Sequence, residues 1–201
     1  MILGINDQEY YDRTKEFTSA FGEFAFNFEN VCFIAKQVIE SIFHQSGISK
    51  ESKLPSILMY DSTAYPISKY LNACLIEYYQ NELANSKDSK DRLSLLSKKL
   101  NAALELRNNL IHADWGIGYS VDEIPSADVA IGFKDKISKD GFKQAFHFYK
   151  PADFKKAANE LKVIWMYLVR IEERIKNNES FWNKDEDIDD GLSELEFNLI
   201  S

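Results

Sequence analysis

The stretch "ELRNNLIHADW", residues 105–115, places Arg107, Asn108 and His112 within about a turn and a half of helix, in a chain with only three histidines. Histidine titrates near neutrality and can take or give a proton. Arginine can hold a phosphate and stabilise charge that builds up on it. Together they suffice, without metal, for attack of a ribose 2′-hydroxyl on the adjacent phosphate. The same residues also have a structural reading. Arg107 falls at the next expected position of an apolar stripe, where a charge is costly unless paired. Glu29 or Glu105 would then be its partner. His112, in a last helical turn, would sit against the negative end of the helix dipole.

Spacing separates the members of this set. Arg107 and His112 are five positions apart, so their Cβ directions differ by about 140° on a helix. Asn108 and His112, at i and i+4, are neighbours. Convergence on one groove would be easier if a second copy of the helix faced the first.

These residues need a helix to carry them, and the pattern supplies several. Over residues 7–45, Tyr10, Thr14, Phe17, Phe21, Phe24, Phe28, Val31, Ala35, Val38 and Ile42 recur at steps of three and four, the seam of a packed helix. Phe26, Phe33 and Ile34 lie off that seam and call for further partners. Gly47 is the expected C-terminal glycine. Residues 48–65 form a connector with a short helix around Ser56–Tyr60. Pro66 opens a second helix, lined by Ile67, Tyr70, Leu71, Cys74, Leu75 and Tyr78, that ends near Leu83. A third runs from Asp91 to Ala113 on Leu93, Leu96, Leu100, Ala103, Leu104 and Ile111.

Alternation in "ADVAIGF" and "GFKQAFHFY", with "SKDG" between, predicts a β-hairpin over about 127–149. Pro151 opens the last helix, which runs to about Asn178 on Phe154, Ala157, Leu161, Ile164, Trp165, Leu168 and Ile171. The expected fold is mainly α: a bundle of four or five helices, with the hairpin inserted between the motif helix and the last helix. Residues 1–184 are expected to form one domain.

The net charge of −8 at first argues against a nucleic-acid partner. Residues 185–201, "DEDIDDGLSELEFNLIS", hold seven acids and no base, so the rest of the chain is near −1. That body can carry a small basic cleft, though not a long basic track. The acidic remainder is expected to be a mobile tail. No stretch is long and apolar enough to span a membrane, and "MILGINDQEYYDR" lacks the pattern of a secretory signal. Cys32 and Cys74 read as buried thiols of a reducing compartment, so a cytoplasmic location is expected.

Other constellations fall short. The chain lacks closely spaced His and Cys ligands for zinc, and "GIG" at 116–118 lacks the third glycine of a dinucleotide loop. The acids at 185–190 fail the spacing of a calcium loop. His44 at a helix end and His147 on a strand read as solvated. No metal and no cofactor are expected.

The stretch "ELRNNLIHADW" resembles the signature of the HEPN superfamily, small helical domains found in many prokaryotic RNases and toxins. That signature is an arginine, a polar residue, three further residues and a histidine near a helix end, matched here by Arg107, Asn108, Asn109-Leu110-Ile111 and His112. The long first helix and the helix after the motif also fit. The resemblance implies a homodimer with two copies of Arg107 and His112 lining one cleft. It implies metal-independent cleavage of RNA, of toxin or phage-defence type, leaving a 2′,3′-cyclic phosphate and a 5′-hydroxyl.

In that role His112 is the general acid/base, Arg107 stabilises phosphate charge, and Asn108 positions. The implied partners are a second copy, RNA, and an inhibitor or antitoxin protein. Some members carry a tyrosine two positions after the histidine that a partner nucleotidyltransferase modifies. Asp114 stands there, so that modification is not expected. The alternative is a non-catalytic dimerisation or adaptor module, or a nucleotide-binding one, since many family members are inactive.

Overall fold

A computed structural model describes residues 7–60, 62–111, 113–117, 130–138, 141–182 and 191–197. In chain order these form α1 (Asp7–Gln45), α2 (Leu54–Met59), α3 (Ala64–Tyr78), α4 (Gln80–Asn85), α5 (Lys87–Ile111), β1 (Asp114–Ile117), β2 (Ala130–Ser138), β3 (Gly141–Tyr149), α6 (Pro151–Asn177) and a 3₁₀ turn (Leu192–Glu194). The chain is therefore mainly helical, with an antiparallel sheet between the motif helix α5 and the last long helix α6, as expected. The sheet has three strands in the order β1-β2-β3, one more than the expected hairpin. β1 was not legible because four residues straight after a helix show too little alternation.

The residues group into two compact units. One comprises residues 1–26, 105–159 and 197–201; the other comprises 27–104 and 160–196. The Arg107 motif belongs to the first.

In the first unit, the sheet pairs Trp115 with Gly132 and Gly116 with Ile131, and β2 pairs with β3 from Ala130↔Tyr149 to Ser138↔Gly141. A Cβ on Gly132 would stand 3.4 Å from both the Trp115 ring and the Ala113 Cβ. Gly132 thus lies in van der Waals reach of the indole that crosses the strand. Phe17, Ala20, Phe24, Leu106, Leu110, Ile131, Tyr149 and Phe154 are buried, while Phe26 stands 66% exposed. α6 begins as its sequence asks. Pro151 fills the first helical position, where a missing N–H costs nothing. Asp153 Oδ2 accepts from the Lys150 backbone N–H at 2.7 Å, the reciprocal half of a capping box. An exposed ion pair, Lys155 to Glu16 at 3.2 Å, joins α6 to α1.

In the second unit, Phe28, Val31, Ala35, Val38 and Ile42 of α1 are buried, as are Ile67, Leu71 and Leu75 of α3 and Leu161, Ile164, Leu168 and Ile171 of α6. Four expected seam residues face outward instead: Tyr70 at 50%, Trp165 at 40% and, in the first unit, Tyr10 at 46% and Ile111 at 39%. Ile34 is buried, and Phe33 is exposed.

Both long helices of this unit stop at a residue with positive φ. Gly47 (φ 99°) closes α1, with Ile48 N–H donating to Phe43 O at 3.1 Å; Asn178 (φ 57°) closes α6, with Glu179 N–H donating to Arg174 O at 2.9 Å. This is the Schellman closure, which left-handed Gly or Asn makes cheap.

The second expected helix is broken in two at Tyr79, whose backbone leaves the helical region (φ −98°, ψ 19°). Tyr79 buries its ring against Tyr78 and Phe181, at 4.8 and 5.3 Å. α5 starts at Lys87 rather than Asp91. Ser86 explains the shift: its Oγ accepts from the Ser89 backbone N–H at 3.2 Å, as an N-cap does.

Residues 191–197 depart from the expectation of a solvated tail. Leu192 and Leu195 are buried, Glu196 N–H donates to Glu160 Oε1 at 3.3 Å, and Lys99 Nζ donates to the Leu195 carbonyl. Acid counting missed that the segment alternates its charges with leucines.

Candidate functional site

The motif helix buries a stripe that turns before it reaches Arg107. Leu93, Leu96, Leu100, Ala103 and Leu104 are buried as expected. The stripe then continues through Leu106 and Leu110 and not through Arg107 and Ile111; Ile111 is 39% exposed. Steps from 103 to 106 and from 106 to 110 keep the i+3, i+4 rhythm on a slightly rotated face. Arg107 and Asn108 are consequently half-buried at the rim of the stripe.

The two polar groups meet. Arg107 Nη1 donates to Asn108 Oδ1 at 3.4 Å, a long bond between sequence neighbours. Glu105, one of the partners expected on a structural reading, is exposed. His112 lies outside the described residues, so the third member of the expected set has no described geometry. The same holds for Tyr119, and for the side chain of His147.

Just beyond the motif, Trp115 Nε1 donates to the Leu110 carbonyl at 2.9 Å. The last carbonyls of a helix have no partner within it, and the indole satisfies one of them. The Trp115 ring lies 6.1 Å from Phe21, 5.8 Å from Phe154 and 5.6 Å from Tyr149, all tilted or edge-on. Phe21 and Phe154 complete the set at 5.8 Å and 84°. Edge-to-face packing suits the ring quadrupoles. Beside these rings opens a cavity of about 210 Å³, lined by Phe17, Thr18, Phe21, Trp115, Ala130 and Phe154. Sequence reading missed it, because its walls come from α1, β1, β2 and α6. Burial pushes the Tyr149 phenol, with help from the Asp153 charge, up to about 12.

The remaining candidates are elsewhere. His44, half-buried at the end of α1, shares a hydrogen bond of 3.1 Å between Nδ1 and the Ile48 carbonyl. It belongs to the second unit and lines a polar cleft with Glu40, Ser41, Lys50, Glu172 and Lys176. Neither Cys32 nor Cys74 is in a disulfide, and both are half-buried rather than buried as expected. Burial raises the Cys74 thiol above its ordinary value. Among the described residues, no group of three or more His, Cys, Asp or Glu side chains is placed to hold a metal ion, and no helix is long and apolar enough to cross a membrane. No protein-family model matches this chain, and neither do any curated proteins or solved structures.

Proposed function

We propose that this protein is a metal-independent endoribonuclease that acts as a dimer with a composite cleft, of the toxin or phage-defence type. The observation that carries the reading is half-buried Arg107, whose guanidinium donates to Asn108, five positions before His112 in the sequence. Arg107 would bind the scissile phosphate and stabilise its developing charge. His112 would take the proton from the ribose 2′-hydroxyl and return one to the leaving 5′-oxygen. The 2′-oxygen–phosphorus bond forms as the phosphorus–5′-oxygen bond breaks, leaving a 2′,3′-cyclic phosphate and a 5′-hydroxyl. A second copy would resolve the angle of about 140° between the two groups, because each helix then needs to aim only one of them into the shared groove.

The test is cleavage of single-stranded RNA by the purified chain in EDTA. Wild type is expected to cut, and Arg107→Ala and His112→Ala are each expected to abolish cutting. Equal cutting by both variants would remove the site assignment.

A second reading, a non-catalytic adaptor, draws support from α2. There Ile57, Leu58 and the following Tyr60 stand 68%, 61% and 82% exposed, an apolar surface suited to a protein partner. It requires that no RNA cleavage occur under any condition in which the chain is folded.

A further inference from the structure

We propose that the aromatic cavity of the first unit is a nucleobase pocket, holding one base of the RNA beside the phosphate that Arg107 would bind. The identity of that phosphate rests on the ribonuclease reading; the chemistry of the pocket does not.

Size comes first. An apolar cavity of about 150 Å³ admits benzene. The present one, at about 210 Å³, has room for a planar ring system. Its lining decides the rest. Phe17, Phe21, Trp115, Ala130 and Phe154 offer no ionisable group. Thr18 has the one side-chain hydroxyl, and it donates to the Thr14 carbonyl at 2.8 Å. A charged ligand would lose its hydration here without compensation. An uncharged, flat molecule with a π face would not. Single-stranded RNA is recognised in this way, through unstacked bases laid on aromatic side chains.

Position links the pocket to the motif. The Trp115 nitrogen is committed to the Leu110 carbonyl, so the residue can offer a ligand only its ring. That bond ties the pocket wall to the turn of α5 that follows Arg107. Leu110 stands three positions after Arg107, about 4.5 Å along the helix axis. A nucleotide whose phosphate meets the guanidinium would reach with its base toward the pocket wall that Trp115 ties to this turn. Among the described lining residues the only side-chain hydroxyl, that of Thr18, is already donating within its helix, so the pocket selects by ring size and stacking rather than by base edge.

The test uses the full chain with ¹⁵N-labelled tryptophan, following the Trp115 indole N–H by NMR as adenosine is added. The signal is expected to shift and saturate. In Thr18→Phe, where a ring fills the mouth from an exposed helical position, affinity is expected to fall about 5- to 150-fold, the worth of one stacked base. Its melt confirms that the variant folds. Ribose 5-phosphate, which has no base, is expected to leave the signal still.

An unmoved signal with adenosine would overturn the pocket, as would undiminished binding by a folded Thr18→Phe. Equal shifts from ribose 5-phosphate or from tetramethylammonium would also overturn it, assigning the cavity to a sugar phosphate or a cation. A wild type that binds adenosine yet cuts no RNA would support the pocket while removing the ribonuclease reading.

Discussion

The Trp115 indole closes the end of the motif helix: its N–H reaches the Leu110 carbonyl at 2.9 Å. One side chain thus caps the helix that carries Arg107 and walls the cavity next to it. The pairing of Trp115 with Gly132 fixes that side chain in the sheet. The geometry of the motif turn and the shape of the pocket are therefore coupled through a single ring.

Replacing that ring separates its two roles. Trp115→Phe keeps an aromatic wall but leaves the Leu110 carbonyl without its donor. A lost hydrogen bond of this kind is expected to cost about 1 to 2 kcal/mol in urea unfolding. Trp115→Ala removes the packing as well and is expected to cost about 3 to 5 kcal/mol. Equal stabilities for Trp115→Phe and wild type would show that the indole bond does not hold the helix end.

In the second unit, Glu82 gathers the chain after α6. Its carboxylate accepts from the backbone N–H groups of Phe181 (2.8 Å) and Trp182 (3.3 Å) and from the Ser89 hydroxyl (2.6 Å). Arg174 Nη1 donates to the Phe181 carbonyl at 2.8 Å. Glu82→Ala strands these donors and is expected to destabilise by about 2 to 3 kcal/mol, since bonds to a charged acceptor are the strong ones. A loss below about 0.5 kcal/mol, the range of ordinary surface substitutions, would contradict this.

Tyr79 carries the opposite expectation. Its ring is buried, and its hydroxyl has no hydrogen-bond partner among the described residues. Tyr79→Phe keeps the contacts with Tyr78 and Phe181 and removes a desolvated hydroxyl. It is expected to leave stability unchanged or raise it by about 1 kcal/mol. Calorimetry showing a clear loss would mean that the hydroxyl is satisfied after all.

Alkaline pH should weaken the first unit through Tyr149. An unfolded tyrosine titrates near 10, and burial holds this one near 12. The folded state keeps its proton where the unfolded state has released it. This contribution is intact below pH 10 and is lost as pH rises from 10 through 12, by up to roughly 3 kcal/mol. Tyr149→Phe should flatten that decline. A wild type equally stable at pH 9 and pH 11.5 would contradict it.

Helical periodicity made most of the fold legible. α1 runs over the expected residues, and α6 ends within one residue of the expectation, because long apolar stripes, Pro151 and Gly47 leave few alternatives. The break at Tyr79 was hidden, since it depends on an aromatic ring finding Phe181 about a hundred residues away. Arg107 and Asn108 stand out in the sequence by type and spacing; they touch at 3.4 Å, and with His112 outside the described residues the set remains a proposal. The cavity was not legible, because Phe17, Phe21, Trp115 and Phe154 each look like ordinary core residues until the chain brings them together.

The most direct test of the proposed activity is the end chemistry of RNA incubated with the purified chain in EDTA. The account predicts fragments with 2′,3′-cyclic phosphate and 5′-hydroxyl ends from wild type, and no fragments from Arg107→Ala or His112→Ala. Intact RNA with folded wild-type protein, or cutting that survives both substitutions, would contradict it.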